Sequence, residues 1–300
     1  MRASNLLTPR MRRNLEGYIF IGPWLIGFLA FILGPFAFSF VLALSEWSIL
    51  EPPKFVGLGN FEKLLGEDLF WKSLRVTTIF TVVSVILRVS IALLLATLLN
   101  QGIRGHRFFQ AGFYMPVMFS GVILGVLWAW MFPFDYGLIN DLLRRAGIEG
   151  PRWLSTPPLA LTSIIMMSMW RVGGMMVIFL AGLKDIPSEL YEAAEIDEAG
   201  GISRFFSITV PMLTPIVLFN LVISMIQSFQ VFGEVAVLTD GGPYNSTLVY
   251  LLYLYRQAFT YLHMGYGSAL AWVLFIIIVS VTLILLKTSG RWVYYGGTRA

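Results

Sequence analysis

The sequence predicts an all-α membrane protein with six transmembrane helices. Its 300 residues are 57% hydrophobic and only 13% charged, whereas an ordinary soluble domain has about 25% charged residues. Six apolar runs are also each long enough to cross a hydrocarbon core, which takes about 20 helical residues. The predicted spans are Tyr18 to Leu44, Val76 to Leu99, Phe108 to Phe132, Leu159 to Leu183, Ile208 to Leu238 and Tyr266 to Leu286.

The first span follows a basic segment, which is also how a signal peptide begins. The apolar stretch behind this segment is longer than a signal-peptide core, and no small-residue cleavage site precedes the next polar loop. We therefore expect the first span to be retained.

The distribution of Lys and Arg predicts the orientation, because basic loops resist translocation. With the N-terminus inside, eleven basic residues flank the spans on the inner side and eight lie in the outer loops. Both termini are therefore expected in the cytoplasm. The chain divides into an N-terminal segment (1–17), a six-helix domain (18–290) and a C-terminal tail (291–300). The scattered basic residues form no stripe that would bind nucleic acid.

The segment between the fourth and fifth spans, residues 183–206, is strongly acidic. It carries six acidic residues and only two basic ones. On the cytoplasmic side it would face an anionic lipid surface, which repels acidic residues. Pro187 and Ser188 suit a helix start, and Gly200-Gly201 suit its end. The segment is either a docking helix for a cytoplasmic protein or a solvated acidic loop.

Several motifs together resemble one transporter family. EAAEID (192–197), followed by a break and FFSITVPMLTP (205–215), resembles the EAA loop of permease subunits in binding-protein-dependent ABC importers. FVGLGNF (55–61), IFLAGLKDIP (178–187) and SFQVFGEVAVLTDGGPYNST (228–247) are similar to the carbohydrate-type branch of that family. The resemblance covers nearly the whole chain from the first span to about Trp272.

The resemblance implies a type I ABC importer permease fold with a cytoplasmic coupling loop at 184–208, which docks in a cleft of an ATPase subunit. The docking residues that it implies are Glu192, Ala193, Ala194, Asp197, Ile208 and Pro211. Glu198 stands where the family usually has glycine, and glycines follow only at 200 and 201. The break between the two short helices is therefore expected two residues later than usual.

The resemblance also implies a set of partners. These are a second permease subunit, two ATPase subunits that hold ATP and Mg, an extracytoplasmic solute-binding protein that brings a carbohydrate, and the lipid of a prokaryotic cell membrane. This chain has no GxxxxGK[ST] phosphate loop, so ATP must be handled elsewhere and the chain is not expected to be an enzyme. No metal site is expected, because His106 and His263 fall on opposite sides of the membrane.

Polar residues of the fifth span are candidates for a solute path, because polar groups inside a membrane usually face a partner or a wet cavity. At spacings of four, three, four and three residues, one helical face would carry Asn220, Ser224, Gln227, Val231 and Glu234, with Ser228 beside it. These groups either line the path of a sugar or form hydrogen bonds between packed helices.

The fourth span adds further candidates. Trp170 is either a platform for the apolar face of a sugar ring or a packing residue, and Gly173, next to Gly174, allows close backbone approach. Arg171 and Arg88 lie inside spans. They either pair with Glu234 or offer positive charge to a uronate or a phosphorylated sugar.

The sequence fits two other classes of function less well than it fits half of an ATP-driven import pathway. An ion-coupled secondary transporter of a polar solute usually has internal repeats and intramembrane carboxylates, and here only Glu234 qualifies. A membrane-embedded enzyme would need His, Asp or Glu clustered at one depth, and none is evident. The external segment LTDGGPYNST (238–247) and the aromatic residues after it suit either docking of a binding protein or a belt at the membrane interface.

Overall fold

The computed structural model describes residues 9–294, which are mostly helical. Residues 1–8 of the predicted N-terminal segment and residues 295–300 of the predicted tail lie outside this part of the chain. The described residues form the α-helices α1 (Pro9–Phe28), α2 (Gly34–Ala43), α3 (Gly59–Leu65), α4 (Asp68–Asn100), α5 (His106–Tyr114), α6 (Gly121–Met131), α7 (Leu138–Arg145), α8 (Pro157–Met169), α9 (Gly173–Lys184), α10 (Ser188–Ile196), α11 (Gly201–Arg204), α12 (Val210–Phe229), α13 (Gly233–Leu238), α14 (Tyr250–Tyr255) and α15 (Met264–Ser289).

Short segments of other geometry complete the backbone. Wider π-helical turns at Leu29–Leu33, Phe205–Thr209 and Arg256–Thr260 continue neighbouring α-helices, and Met115–Met118 forms a 3₁₀ turn. Two short strands, β1 (Ser45–Glu46) and β2 (Lys54–Phe55), pair antiparallel with Ser45 opposite Phe55.

Four helical stretches are long and apolar enough to cross a membrane. They are Glu16–Ala43, Asp68–Asn100, Gly201–Phe229 and Met264–Ser289. Two bent helix pairs pass the same test together, which brings the number of candidate spans among the described residues to as many as six. The prediction of an all-α membrane protein is confirmed at this level.

The third and fourth predicted spans are each bent in the structure. Phe108–Phe132 divides into α5 with its 3₁₀ turn and α6, which meet at 104°, and Leu159–Leu183 divides into α8 and α9, which meet at 46°. In the third span the chain is extended at Phe119 and Ser120, and Ser120 Oγ accepts the Ile123 N–H at 3.4 Å as an N-cap. Apolarity continues on both sides of each bend, so hydropathy did not mark it.

The fifth predicted span does not continue as one helix to Leu238. α12 ends at Phe229, residues 230–232 leave the helix, and α13 begins at Gly233. Phe232 has φ −147° and ψ −64°, which no helix accommodates. Val231 and Glu234 therefore do not continue the helical face that carries Asn220.

The first of two compact units comprises the described residues up to Leu64 together with Gln257–Trp272. Within this unit, Asn60 connects α3 to the end of α2 and to β1. Its Nδ2 donates to the carbonyl oxygens of Ala43 and Ser45, each at 2.9 Å. The Trp272 ring packs against Phe36 and Phe40 of α2, with ring centroids 4.6 and 4.9 Å away.

The second unit, Leu65–Arg256 with the described residues from Val273, is built around α4. This helix packs against α8, α9, α12 and α14. Its buried face is polar for a membrane helix, because one side carries Ser73, Thr77, Thr81, Ser84 and Arg88. Thr77 Oγ1, for example, accepts the Tyr250 N–H at 2.7 Å. Polar side chains at this depth stabilise helix packing when they find partners, and they mark function when they do not.

Candidate functional site

A cavity of about 370 Å³ opens where α12 breaks before α13. Its size falls within the range of small-molecule sites. Six of the predicted path residues line it, namely Arg88, Arg171, Gln227, Ser228, Val231 and Glu234. Its other lining residues include Phe80, Gly121, Val122, Met167, Ser168, Gln230 and Phe232. The cavity is thus lined by residues of α4, α6 and α8, by the α12–α13 break, and by Arg171 in the bend of the fourth span.

Glycines let α13 approach α6 beside this cavity. A Cβ at Gly125 would lie 3.0 Å from Val237 Cβ, and a Cβ at Gly233 would lie 3.2 Å from Val122 Cγ2. At Gly121 a Cβ would lie 2.7 Å from the carboxyl carbon of Glu234. These close contacts fix α13 against α6, and they place Glu234 at the cavity wall.

Arg171 and Glu234 form an ion pair in the cavity. Arg171 Nη1 lies 3.0 Å from Glu234 Oε1, and the side chains are 38% and 17% exposed. The alternative in which Arg171 pairs with Glu234 is therefore confirmed. Only one nitrogen and one oxygen take part, which leaves further donors and an acceptor available to a third group.

Arg88 is buried and makes a different set of contacts. Its Nε donates to the Ser84 carbonyl at 3.3 Å, and its Nη2 donates to Ser228 Oγ and, at 3.5 Å, to the Ser224 carbonyl. All three acceptors are neutral. Among residues 9–294, Arg88 has no carboxylate in ion-pair contact, so the predicted pairing with Glu234 does not extend to this arginine.

A second cavity of about 180 Å³ lies against the same arginines. Its lining includes Val117, Gly174, Met175, Ile178, Phe219, Asn220 and Ile223. Arg88, Arg171 and Gln227 line both cavities. These three side chains therefore form the partition between the two spaces.

The predicted stripe on the fifth span is only partly brought together. Asn220 lines the second cavity, while Ser224 lines neither and is fully buried against its neighbours. Within the described part of the chain, Asn220 Nδ2 and Ser224 Oγ have no hydrogen-bond partner. A role of these groups in solute binding stays a prediction, as does their role in helix packing.

Trp170 does not join Arg171 in the cavity. It lines a separate, mostly apolar space of about 490 Å³ with Phe108, Phe109 and Phe113, and its ring meets Trp128 edge-on at 5.8 Å. The bend at residues 170–172 turns the two neighbouring side chains in different directions. Both alternatives for Trp170, the sugar platform and the packing residue, stay predictions.

Gly173 begins α9 at a close backbone contact. A Cβ there would lie 2.1 Å from the Phe113 carbonyl oxygen and 2.7 Å from Tyr114 Cα. The predicted close approach is confirmed at this position. It is looser at Gly174, whose nearest neighbour would be Val117 Cγ1 at 3.8 Å.

The acidic loop forms two short helices, α10 and α11, with a break that comes earlier than expected. α10 ends at Ile196, and Glu198 itself adopts the left-handed conformation with φ 55°. The Glu198 N–H bonds to the Glu195 carbonyl at 3.0 Å, and the Ala199 N–H bonds to the Ala194 carbonyl at 2.9 Å. This is the hydrogen-bond pattern of a Schellman C-cap, in which glycine is the usual residue. The expected break at Gly200-Gly201 is wrong, because Glu198 adopts the glycine conformation.

The docking surface expected on this loop is exposed. Glu192, Ala193 and Asp197 are exposed, while Ala194, Ile208 and Pro211 are partly buried. Sequence reasoning missed three large apolar side chains, because it followed the acidic residues and the residues of the EAA motif. Three large side chains in the loop point outward: Ile196 is 84% exposed, Ile202 80% and Phe206 65%.

One hydrogen bond ties α10 to the base of α12. Tyr191 Oη lies 2.9 Å from Thr209 Oγ1, and Thr209 is buried in the π turn just before α12. α12 then reaches Gln227 and Ser228 at the first cavity. Because a helix rises 1.5 Å per residue, Thr209 and Gln227 lie about 27 Å apart along one nearly continuous element.

Among the described residues, no group of three or more His, Cys, Asp or Glu side chains could hold a metal ion. The first cavity offers guanidinium, amide, hydroxyl and carboxylate groups. Such groups can bind a polar solute.

Comparisons with known proteins agree with this geometry. The family described as "Binding-protein-dependent transport system inner membrane component" matches residues 88–293. The probable ABC transporter permease protein YesP of Bacillus subtilis (strain 168) is 43% identical over 94% of this chain and 93% of its own length. The trehalose/maltose transport system permease protein MalF of Thermococcus litoralis is 36% identical, over 95% and 98% of the two chains.

A solved structure shows the same fold. It is a chain of a bacterial alginate ABC transporter in complex with an alginate pentasaccharide-bound periplasmic protein, and it matches with a TM-score of 0.81. The two chains are 22% identical, and the match covers 94% of this chain and 96% of that one. The resemblance inferred from the EAA loop and its companion motifs is confirmed. This protein belongs to the family of binding-protein-dependent transport system inner membrane components, the permeases of ABC transporters.

Proposed function

We propose that this chain is the transmembrane subunit of an ATP-driven importer and forms half of the pathway for a sugar or oligosaccharide. The observation that carries the proposal is the continuous connection from an exposed loop through α12 to a polar cavity. Relatives are named for sugar transport: the arabinooligosaccharides permease AraP of Bacillus subtilis (strain 168), for example, is 34% identical over 91% of this chain.

In the proposed topology each bent helix pair counts as one span. Six spans then return the chain to its starting side, with both termini and the α10–α11 loop in the cytoplasm of a prokaryotic cell. The excess of Lys and Arg on the inner flanks supports this orientation. The α12–α13 break falls within the proposed membrane region, where broken backbone is tolerated only beside protein or a water-filled cavity.

The α10–α11 loop is the proposed contact with an ATPase subunit. Glu192, Ala193, Ala194 and Asp197 form its core, and Ile208 and Pro211 close the motif. Ile196, Ile202 and Phe206 add the apolar area that an acidic surface alone lacks, since interface cores are depleted in charge. Movement of the loop would pass to α12 through the Tyr191–Thr209 hydrogen bond and the continuous helix.

The first cavity is the proposed solute path. Gln227, Gln230 and Ser228 offer amide and hydroxyl groups to sugar hydroxyls, and Phe80 and Phe232 offer apolar walls. This chain would supply one side of the path and a second permease subunit the other. Two ATPase subunits would bind ATP and Mg²⁺, and an extracytoplasmic binding protein would deliver the sugar.

Reconstitution of the importer with its binding protein tests the proposal. Glu192→Ala should weaken association with the ATPase and reduce ATP-dependent uptake by tenfold or more, while Glu189→Ala serves as the matched control. Glu189 is an exposed acid one turn earlier on α10, outside the EAA motif. Normal uptake and ATPase association in Glu192→Ala would refute the docking assignment. Uptake without ATP would instead indicate an ion-coupled transporter.

A further inference from the structure

The partition between the two cavities carries excess positive charge. The ionisable side chains that line the two spaces, within the described residues, are Arg88, Arg171 and Glu234. Glu234 balances one arginine, which leaves a net charge of +1. A charge away from bulk water is costly unless a partner of opposite sign balances it. The site is therefore electrostatically incomplete in the isolated chain.

Donor groups around the partition are also unused. Arg171 contacts Glu234 through Nη1 alone, and Arg88 donates through Nε and Nη2 to neutral acceptors. Gln227 makes no hydrogen bond to another described residue, although it is exposed to both cavities. A planar anion that accepts two hydrogen bonds from each guanidinium would use these donors, and carboxylate has that geometry.

The net charge also limits the kind of anion. One carboxylate brings a charge of −1, which balances the site. A phosphate monoester carries about −1.5 to −2 at neutral pH, which would leave an excess of negative charge. The remaining lining, with two glutamines and two phenylalanines, suits the hydroxyls and the apolar face of a sugar ring.

We propose that the transported solute is an acidic sugar whose carboxylate binds between Arg88 and Arg171. Its hydroxyls bond to Gln227, Gln230 and the free oxygen of Glu234. This inference rests on the proposed function, since it names the substrate class for the same cavity. Glu234 has a second role here: it holds Arg171 while the site is empty and competes with the incoming carboxylate.

Binding to the assembled importer, without its binding protein, tests the proposal. The probes are glucuronate, galacturonate and mannuronate, each compared with its neutral methyl ester, and the readout is the concentration dependence of thermal stability. We expect at least one uronate to stabilise the complex and its ester to fail. Arg88→Gln and Arg171→Gln should each weaken that binding by about 10- to 100-fold, the loss expected for a charged hydrogen-bond partner.

Two further variants separate the binding role from a structural one. Glu234→Gln should tighten uronate binding several-fold, because it removes the competing carboxylate, whereas a purely structural ion pair would give a loss. Arg107→Gln is the matched control, since Arg107 is exposed on α5 and lines neither of the two cavities.

Three results would overturn the proposal. One is equal stabilisation by uronates and their esters, and another is no stabilisation by any uronate. The third is that the Arg88→Gln variant no longer binds the second permease subunit but binds uronate as before. That result would make Arg88 an ion-pair partner of the second subunit. Each of these leaves the proposed function standing if ATP-dependent uptake of a neutral sugar persists, so the two ideas fail separately.

Discussion

Gly173→Ala tests the packing that sets the bend before α9. The added Cβ would lie 2.1 Å from the Phe113 carbonyl oxygen, whereas ordinary contact begins at 3.4 Å. The three nearest atoms all belong to the backbone of Phe113 and Tyr114, so no side-chain rotation can relieve the contact. α9 or the end of α5 must move instead.

The expected loss follows from the cost of overpacking, about 1–3 kcal/mol. Since about 1 kcal/mol changes the Tm of a domain of 150–250 residues by about 2–4 °C, the Tm should fall by about 2–12 °C. Gly174→Ala is the matched control, because its nearest contact is an ordinary 3.8 Å. Its Tm should stay constant or rise slightly, since alanine favours helix over glycine.

The assay is thermal unfolding of the detergent-purified permease, followed by the fraction that remains monodisperse after heating. ATP-dependent uptake should also be lower for Gly173→Ala than for Gly174→Ala. The reason is that the bend positions Arg171, which lies two residues before Gly173. Equal Tm values for the two variants would refute the packing argument. A loss in Gly174→Ala alone would place the close contact one residue further along the helix.

Three other predictions concern single contacts. Glu198→Gly should raise the stability of the α10–α11 loop by about 1 kcal/mol, because a non-glycine residue with positive φ is strained. Amide exchange at the end of α10 should then be slower, and unchanged exchange would contradict the prediction. Tyr191→Phe removes the hydrogen bond to Thr209, worth about 0.5–1.5 kcal/mol. It should lower uptake per ATP hydrolysed, and an unchanged ratio would dismiss this bond as a mechanical link. Thr77→Val leaves a buried backbone N–H without its acceptor and should destabilise by about 1–3 kcal/mol. Thr78→Val, on the exposed side of α4, is the control in the same thermal assay, and equal losses would contradict the assignment.

Much of the helical architecture could be predicted, because long apolar runs identify spans directly. The second and sixth predicted spans lie within the helices Asp68–Asn100 and Met264–Ser289. Both helices continue beyond the predicted ends of the spans. The bends could not be predicted in the same way. Each half of the third span is apolar, and the turn at Ser120 depends on packing that hydropathy does not report.

The site shows the same division between local pattern and tertiary structure. The pairing of Arg171 with Glu234 could be anticipated, since an isolated charge within a membrane needs a partner. The predicted stripe from Asn220 to Glu234 was wrong beyond α12, because it assumed one helix and the break at residues 230–232 could not be anticipated from the spacing. The predicted break in the α10–α11 loop was wrong for a related reason. Sequence preference placed the break at the glycines, but the hydrogen bonds of the C-cap place it earlier, at Glu198.

The chain contains no cysteine, so one engineered cysteine gives an unambiguous test of the central claim, the docking of the α10–α11 loop on an ATPase. Ala193→Cys places a thiol at an exposed position in the middle of the EAA motif. In the assembled importer it should cross-link to the ATPase subunit and resist a membrane-impermeant thiol reagent added outside intact cells. Rapid labelling from outside, without a cross-link to the ATPase, would contradict the account.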